Sequence, residues 1–325
     1  MACTHGGYRR SVPLRAAVWD LGSSSFHLLV CEAGAGGTLQ PVLRRRALLN
    51  LGAAVGERGD IPAERAAAAV AAARRLRHQL DDAGADVTVA LATAALRDAT
   101  NGPEVVTRLE RVIEEPVRVL DGPEEARLCF VGQRAGVWMP PRPSLGLDLG
   151  GGSLEIAVGD YRSVLLATSV PVGATRLRGE LGTADPLRTG DADLVRERTI
   201  AALQPIRNQL SEFPGIAART VVSGGTARAL ARLATARARR TTGSSGEVNQ
   251  VELDAGQVAE LAARLVDLPL AARLSLPGMP PRRAPVIPLG ALILAQTATE
   301  LGIDRFVVSE WGLREGALLD ALARA

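Results

Sequence analysis

Two glycine-rich segments, each entered by an apolar run that ends in aspartate, carry much of the chemistry this chain can offer. One is Ala17-Val18-Trp19-Asp20-Leu21-Gly22-Ser23-Ser24-Ser25; the other is Leu145-Gly146-Leu147-Asp148-Leu149-Gly150-Gly151-Gly152-Ser153. A second apolar run follows each, Phe26 to Cys31 and Leu154 to Val158. Both therefore read as strand, tight turn, strand, with the aspartate on the rim of a β-hairpin. Glycine lets successive backbone N–H groups point into one concavity, an anion-binding nest. Ser23, Ser24, Ser25 and Ser153 add hydroxyl donors. Asp20 and Asp148 offer the hard oxygen ligands that Mg²⁺ takes when it accompanies phosphate. Two such turns predict two related halves facing each other across a phosphate-binding cleft.

Other residues fit the same chemistry, and each has a plainer reading. Glu155 lies two residues beyond Ser153, on the same strand face, as an ordinary strand carboxylate or as part of the site. Arg97 follows a strand expected to end in the cleft. It is either a surface arginine or a clamp that spreads the charge developing in phosphoryl transfer. Ser223-Gly224-Gly225-Thr226 leaves a strand and opens a helix, so Gly224, Gly225 and Thr226 can bind an anion with backbone N–H groups, or Thr226 caps the helix. Glu124 and Glu125 stand in a first helical turn, where the dipole alone favours carboxylates. His27 reads as a packed or solvent-facing imidazole.

These residues need a scaffold. The chain has 325 residues, enough for two domains, and 47% hydrophobic residues, enough for packed cores. Strands are expected near 15–20, 25–32, 38–49, 87–92 and 117–120, with helices over 62–84, 103–114 and from Gly122 to about Gly136. Met139-Pro140-Pro141-Arg142-Pro143 is a stiff linker. The pattern then restarts with strands near 144–149, 153–160 and 163–171. Helices follow over 173–182 and 190–212, then strand 219–223 and helix 225–238. The remainder reads as helices 254–267, 269–275 and 286–301, strand 305–309 and a final helix 312–323. Residues 1–14 read as a loose leader and 239–250 as a flexible loop. The expected domains are 1–138 and 144–311.

The paired Asp-Gly turns resemble those of the actin-like phosphotransferase superfamily. Four further segments narrow the resemblance to the exopolyphosphatase / guanosine pentaphosphate phosphatase (Ppx/GppA) family, in its short two-domain form. They are Ala92 to Asn101, Gly122-Pro123-Glu124-Glu125-Ala126-Arg127-Leu128, Ser223 to Thr226, and Trp311-Gly312-Leu313-Arg314-Glu315-Gly316. The resemblance implies an α/β fold of two ribonuclease-H-like (actin-like ATPase) domains flanking the cleft, with the final helix, 312–325, crossing back onto the first domain. It implies that Glu125 is the general base that deprotonates the attacking water. Arg97 would clamp phosphate, and Asp148, Glu155 and Asp20 would hold Mg²⁺ or another divalent cation. Gly22 to Ser25, Gly150 to Ser153 and Gly224 to Thr226 would bind phosphate. The chain departs from the family pattern at Ser24, Asp121 and Pro285, which bears on substrate preference more than on catalysis.

Composition trims the alternatives. Aromatic content is 3%, too little for base-stacking platforms, so nucleic acid is not an expected partner. Lysine is absent, so permanent side-chain cations are arginines, which grip phosphate in bidentate fashion. Cys3, Cys31 and Cys129 are isolated, which fits a reducing cytoplasm. No stretch reads as a membrane span. The leading expectation is hydrolysis of terminal phosphoanhydrides of inorganic polyphosphate or guanosine pentaphosphate, with a homodimer expected from the resemblance alone. Two other readings stay open: a non-catalytic sensor of polyphosphate or an alarmone, and an actin-like kinase of a small metabolite. A kinase would need a base from a sugar-binding segment, which the sequence does not display.

Overall fold

The strand that enters the first glycine turn is the buried centre of a sheet. This computed structural model describes residues 13–34, 37–182, 184–238 and 248–324. The expected leader and the 239–250 loop fall mainly outside them. Strand β1 (Leu14–Leu21) pairs antiparallel with β2 (Ser25–Ala33), and β2 with β3 (Leu39–Leu48). Helices α1 (Leu51–Arg58) and α2 (Ala63–Ala83) lead to β4 (Val87–Ala92), which runs parallel to β1 on its other side. Helices α3 (Ala94–Asp98) and α4 (Gly102–Ile113) precede β5 (Val117–Val119), giving the order β3-β2-β1-β4-β5. Helix α5 (Gly122–Gly136) follows.

The second half repeats this path. Strands β6 (Ser144–Leu149), β7 (Leu154–Gly159) and β8 (Val164–Val170) form the meander. Helices α6 (Ala174–Leu181) and α7 (Asp191–Ser211) lead to β9 (Thr220–Ser223), parallel to β6. Helix α8 (Gly225–Ala238), the short β10 (Glu252–Asp254), and helices α9 (Ala255–Asp267), α10 (Leu270–Leu274) and α11 (Ile287–Leu301) follow. Strand β11 (Arg305–Val308) closes the order β10-β11-β9-β6-β7-β8, and α12 (Leu313–Leu322) ends the described chain. Read from the meander inward, the two sheets share one topology; β10 is an addition at the edge. In both hairpins the turn closes alike: Gly22 N donates to Ser25 O (3.2 Å) and Gly150 N to Ser153 O (3.0 Å).

Three elements depart from the sequence reading. Helix α1 lies in a stretch to which the sequence assigned no element, and Gly52 and Gly56 lower its helix propensity. Its glycines are needed for contact: a Cβ at Gly52 would lie 2.8 Å from the Ser23 Cβ, and one at Gly56 would lie 2.7 Å from Arg176 O. Helix α3 and strand β10 are too short to leave a periodic signal. No helix among the described residues is long and apolar enough to cross a membrane.

Two helices exchange partners between the halves. Helix α5 follows the first sheet in sequence, yet its Phe130 packs with Ala157, Val221 and Val307 of the second. Helix α12 follows the second sheet, yet its Ala317 and Leu318 join Ala16, Val18, Leu29 and Leu91 of the first, with Leu128 of α5 in the same cluster. The helices meet where side chains are missing: a Cβ on Gly132 would lie 2.0 Å from Gly312 O, and one on Gly316 would lie 1.9 Å from Leu128 O. A methyl group cannot enter without separating backbones. Gly316→Ala should lower Tm, by an overpacking cost of about 1–3 kcal/mol, despite alanine's better helix propensity. An unchanged or raised Tm in thermal melting would refute this contact.

Candidate active site

The two glycine turns meet face to face. Across the gap, Ser24 Oγ and Thr175 Oγ1 share a hydrogen bond of 2.6 Å. A Cβ on Gly151 would lie 2.3 Å from Ser24 Oγ, and one on Gly152 would lie 2.6 Å from Ser23 Oγ. Gly224, at φ +97°, packs on Leu149 O, bringing the third glycine turn alongside the second. Together they enclose a cavity of about 120 Å³ that Asp20, Glu125, Asp148 and Glu155 also line.

Each carboxylate is placed by a different element. Asp148 ends β6 and accepts a hydrogen bond from Ser223 Oγ at the end of β9. Ser223 Oγ in turn accepts from Gln133 Nε2 of α5 (2.8 Å), which also donates to Leu147 O (2.7 Å). Gly146 makes room for that glutamine: a Cβ there would lie 2.4 Å from its Oε1. Glu155, opposite Asp148 in the β6–β7 register, accepts from Ser169 Oγ (3.0 Å). Glu125 sits in the first turn of α5 and is buried. Arg97 Nη1 donates to its Oε2 (3.1 Å) and to Leu120 O (3.0 Å).

Burial dominates the electrostatics. It raises Glu155 to about 7, with the charge of Asp148 adding to the effect. Asp20 is raised to about 6 by burial, which Arg314 opposes and Asp148 reinforces. Burial also lifts Asp148, against the hydrogen bond from Ser223 and the charge of Arg228. Glu125 is pushed well above the usual carboxylate range by burial and then by Glu155, with Arg97 opposing. Arginines face these groups: burial lowers Arg228 and Arg283 to about 10, with Arg314 adding to the effect at Arg228 and Arg228 adding to it at Arg283. Arg314 lies 4.0 Å from Asp20 and 3.0 Å from the His27 ring. Burial, then Arg314, holds His27 well below its ordinary pKa, so the ring is neutral.

The cavity gathers Gly22 to Ser25, Gly150 to Ser153, Gly224, Gly225 and the four carboxylates. Two expected residues face elsewhere. Arg97, expected to clamp phosphate, points its guanidinium at Glu125, Asp98 and Leu120 O instead. The carboxylate of Glu125 outcompetes an open cleft for that donor set. Thr226 neither caps α8, which begins one residue earlier, nor lines the cavity; it is buried against Gly290 of α11. Conversely, Arg228, Arg283, Arg314 and Glu315 line the cavity without having been singled out one by one. For Arg314 and Glu315 the signal was the Trp311 to Gly316 segment. Arg283 lies against the third turn so closely that a Cβ on Gly225 would be 1.8 Å from its Nη2.

Asp20, Asp148 and Glu155 were expected to share a cation. Among the described residues, no three His, Cys, Asp or Glu side chains converge closely enough to hold a metal by themselves. Mg²⁺ does not require that, since it keeps waters and takes one or two carboxylates plus phosphate oxygens. Carboxylates that repel one another in a half-dry cavity are the donor set a divalent cation relieves, so the residues fit one.

The chain has clear relatives. The profile of the Ppx/GppA phosphatase family matches residues 29–325. Exopolyphosphatase 1 of Mycobacterium bovis is 31% identical over 309 residues, covering 95% of this chain and 88% of that protein. A guanosine-5'-triphosphate,3'-diphosphate pyrophosphatase of Aeromonas hydrophila is 29% identical over 318 residues, 95% of this chain but 60% of that longer protein. The crystal structure of an exopolyphosphatase from Cytophaga hutchinsonii superposes with a TM-score of 0.83 at 25% identity, covering 94% of this chain and 98% of that one.

The raised pKa of Glu155 makes stability depend on pH. Below about pH 4.5 the group is protonated both folded and unfolded, and burial costs nothing extra. Stability then falls as pH rises toward 7, where the folded group ionises. Above pH 7 the loss is on the order of 3 kcal/mol. Without divalent cations, Glu155→Gln should therefore raise Tm over the parent at pH 8 by several degrees, and by much less at pH 5. Equal shifts at both pH values in calorimetry would contradict the assignment.

Proposed function

The chain belongs to the Ppx/GppA phosphatase family, and from that premise we propose that it is an exopolyphosphatase, hydrolysing terminal phosphoanhydride bonds of inorganic polyphosphate and also accepting guanosine pentaphosphate. The observation that carries the reading is the convergence of three glycine turns and the buried Glu125 on a single small cavity.

The terminal phosphate lies among the N–H groups of the three turns, with Arg228, Arg283 and Arg314 neutralising its oxygens. Mg²⁺, which Asp148 and Glu155 would hold with Asp20 beside them, supplies further charge neutralisation when bound. Glu125 takes a proton from a water as that water's oxygen bonds to the terminal phosphorus. The bridging P–O bond breaks, and orthophosphate and the shortened chain leave. A carboxylate of raised pKa is a stronger base than an ordinary glutamate. Arg97 keeps that carboxylate in one orientation, which makes it a positioning residue here. No covalent intermediate is required, and Cys31 and Cys129 are buried free thiols, consistent with a cytoplasmic enzyme.

A second cavity, of about 650 Å³, adjoins the first through Ser24, Ser25 and Arg283. Arg46, Arg178 and Arg282 line it together with Glu57 and Glu64, and among the described residues no aromatic side chain does. This favours a phosphate chain over a stacked guanine as the occupant, and polyphosphate as the preferred substrate.

The test is Mg²⁺-dependent phosphate release from polyphosphates of several lengths, guanosine pentaphosphate and ATP. Glu125→Gln should lower kcat by about 10²–10⁴-fold while binding persists. Phosphate release unaffected by this change, or seen with none of these compounds, would sink the proposal. Arg46→Ala with Arg282→Ala should raise KM for long polyphosphate more than for the shortest chains. A uniform rise would remove the second cavity from the substrate path.

A further inference from the structure

His27 lines the cavity, yet both of its ring nitrogens already have partners. It lies two residues after Ser25 on β2, so both side chains share one sheet face. Its Nδ1 lies 3.0 Å from Arg314 Nη1, and its Nε2 lies 2.8 Å from Ser25 Oγ. A guanidinium nitrogen can only donate. The ring must therefore accept at Nδ1, which leaves its proton on Nε2, and that N–H donates to Ser25 Oγ. A serine oxygen that accepts from one side cannot send its own single proton back along the same line. Ser25 lines the cavity and closes the first glycine turn through its carbonyl.

We infer that His27 is a positioning residue which, held by Arg314, turns the Ser25 hydroxyl proton into the phosphate cavity and so makes that hydroxyl an obligate donor to the bound phosphate. Without the imidazole, the hydroxyl could rotate to face the cavity with a lone pair, repelling an anion. The relay ties the first nest to Arg314 in the first turn of α12, so the last helix sets the polarity of a donor on the second strand. This rests on the phosphate-hydrolase reading, and its test separates the two.

In the ligand-free protein at neutral pH, long-range ¹H–¹⁵N correlation should report His27 as the Nε2–H tautomer. His27→Gln assigns the signal among the three histidines of the chain. An Nδ1–H tautomer or an imidazolium overturns the relay, whatever the enzyme hydrolyses. Polyphosphate kinetics supply the second arm. His27→Leu and Ser25→Ala should each lower kcat/KM about tenfold, the double variant should lose no more than either, and His27→Gln, which retains a donor, should recover most of the loss. Additive losses in the double variant overturn the proposal. If the parent protein releases no phosphate, the functional reading fails and the tautomer alone decides the relay.

Discussion

Asp20, Glu125, Asp148 and Glu155 are gathered around one small cavity, and the active-site architecture is arranged around the cost of ionising them there. Burial raises all four carboxyl groups above their ordinary range, and neighbouring carboxylates add to it at Asp20, Glu125 and Glu155. Isolated ionised groups in such a place would cost several kcal/mol each. Hydroxyl donors offset part of this, from Ser223 to Asp148 and from Ser169 to Glu155. Arginines oppose it too, yet Arg228 is itself depressed by burial and then by Arg314, and Arg283 by burial and then by Arg228. Charges of both signs are therefore held short of full compensation. A divalent cation relieves the carboxylates and a phosphate relieves the arginines. Under the proposed function that imbalance would become differential affinity for the cation and the phosphate together, the form in which a fold can contribute to catalysis by electrostatics.

How much of this was readable from the chain depends on how local each cause is. The turns at Gly22 and Gly150 were legible because the hydrogen bonds that close them span only three residues, and because glycine and serine there have few other uses. The identity of the clamping arginines was not. With 38 arginines and no lysine in the chain, residue type carries almost no information about which guanidinium reaches the cleft. Arg283 is selected by the fold, through a glycine at 225 that leaves its guanidinium room. Arg97 shows the converse. Its place after β4 was apparent, but its direction is set by Glu125, a partner 28 residues further on. Thr226 was expected to bind phosphate, or else to cap the helix, yet the helix starts at Gly225 and turns the threonine toward α11.

The exchange of α5 and α12 bears on how the site works. Glu125 stands in the first turn of α5, whose Phe130 packs into the second half; Arg314 and Glu315 stand in the first turn of α12, whose apolar face packs on the first. Glu315 is buried and braces its own helix start by accepting from Gly312 N (3.1 Å). Each half thus contributes a helix whose functional end is oriented by the other. The two helices touch backbone to backbone at Gly132, Gly312 and Gly316, where no side chain can cushion a change in spacing. Any rotation of one half relative to the other must move Glu125 and Arg314 together with the glycine turns they face. A hinge through flexible side chains would let the base and the phosphate cradle drift independently. A joint made of backbone ties the position of Glu125 to the spacing of the two nests, and that coupling is what the proposed water activation and phosphate binding would both draw on.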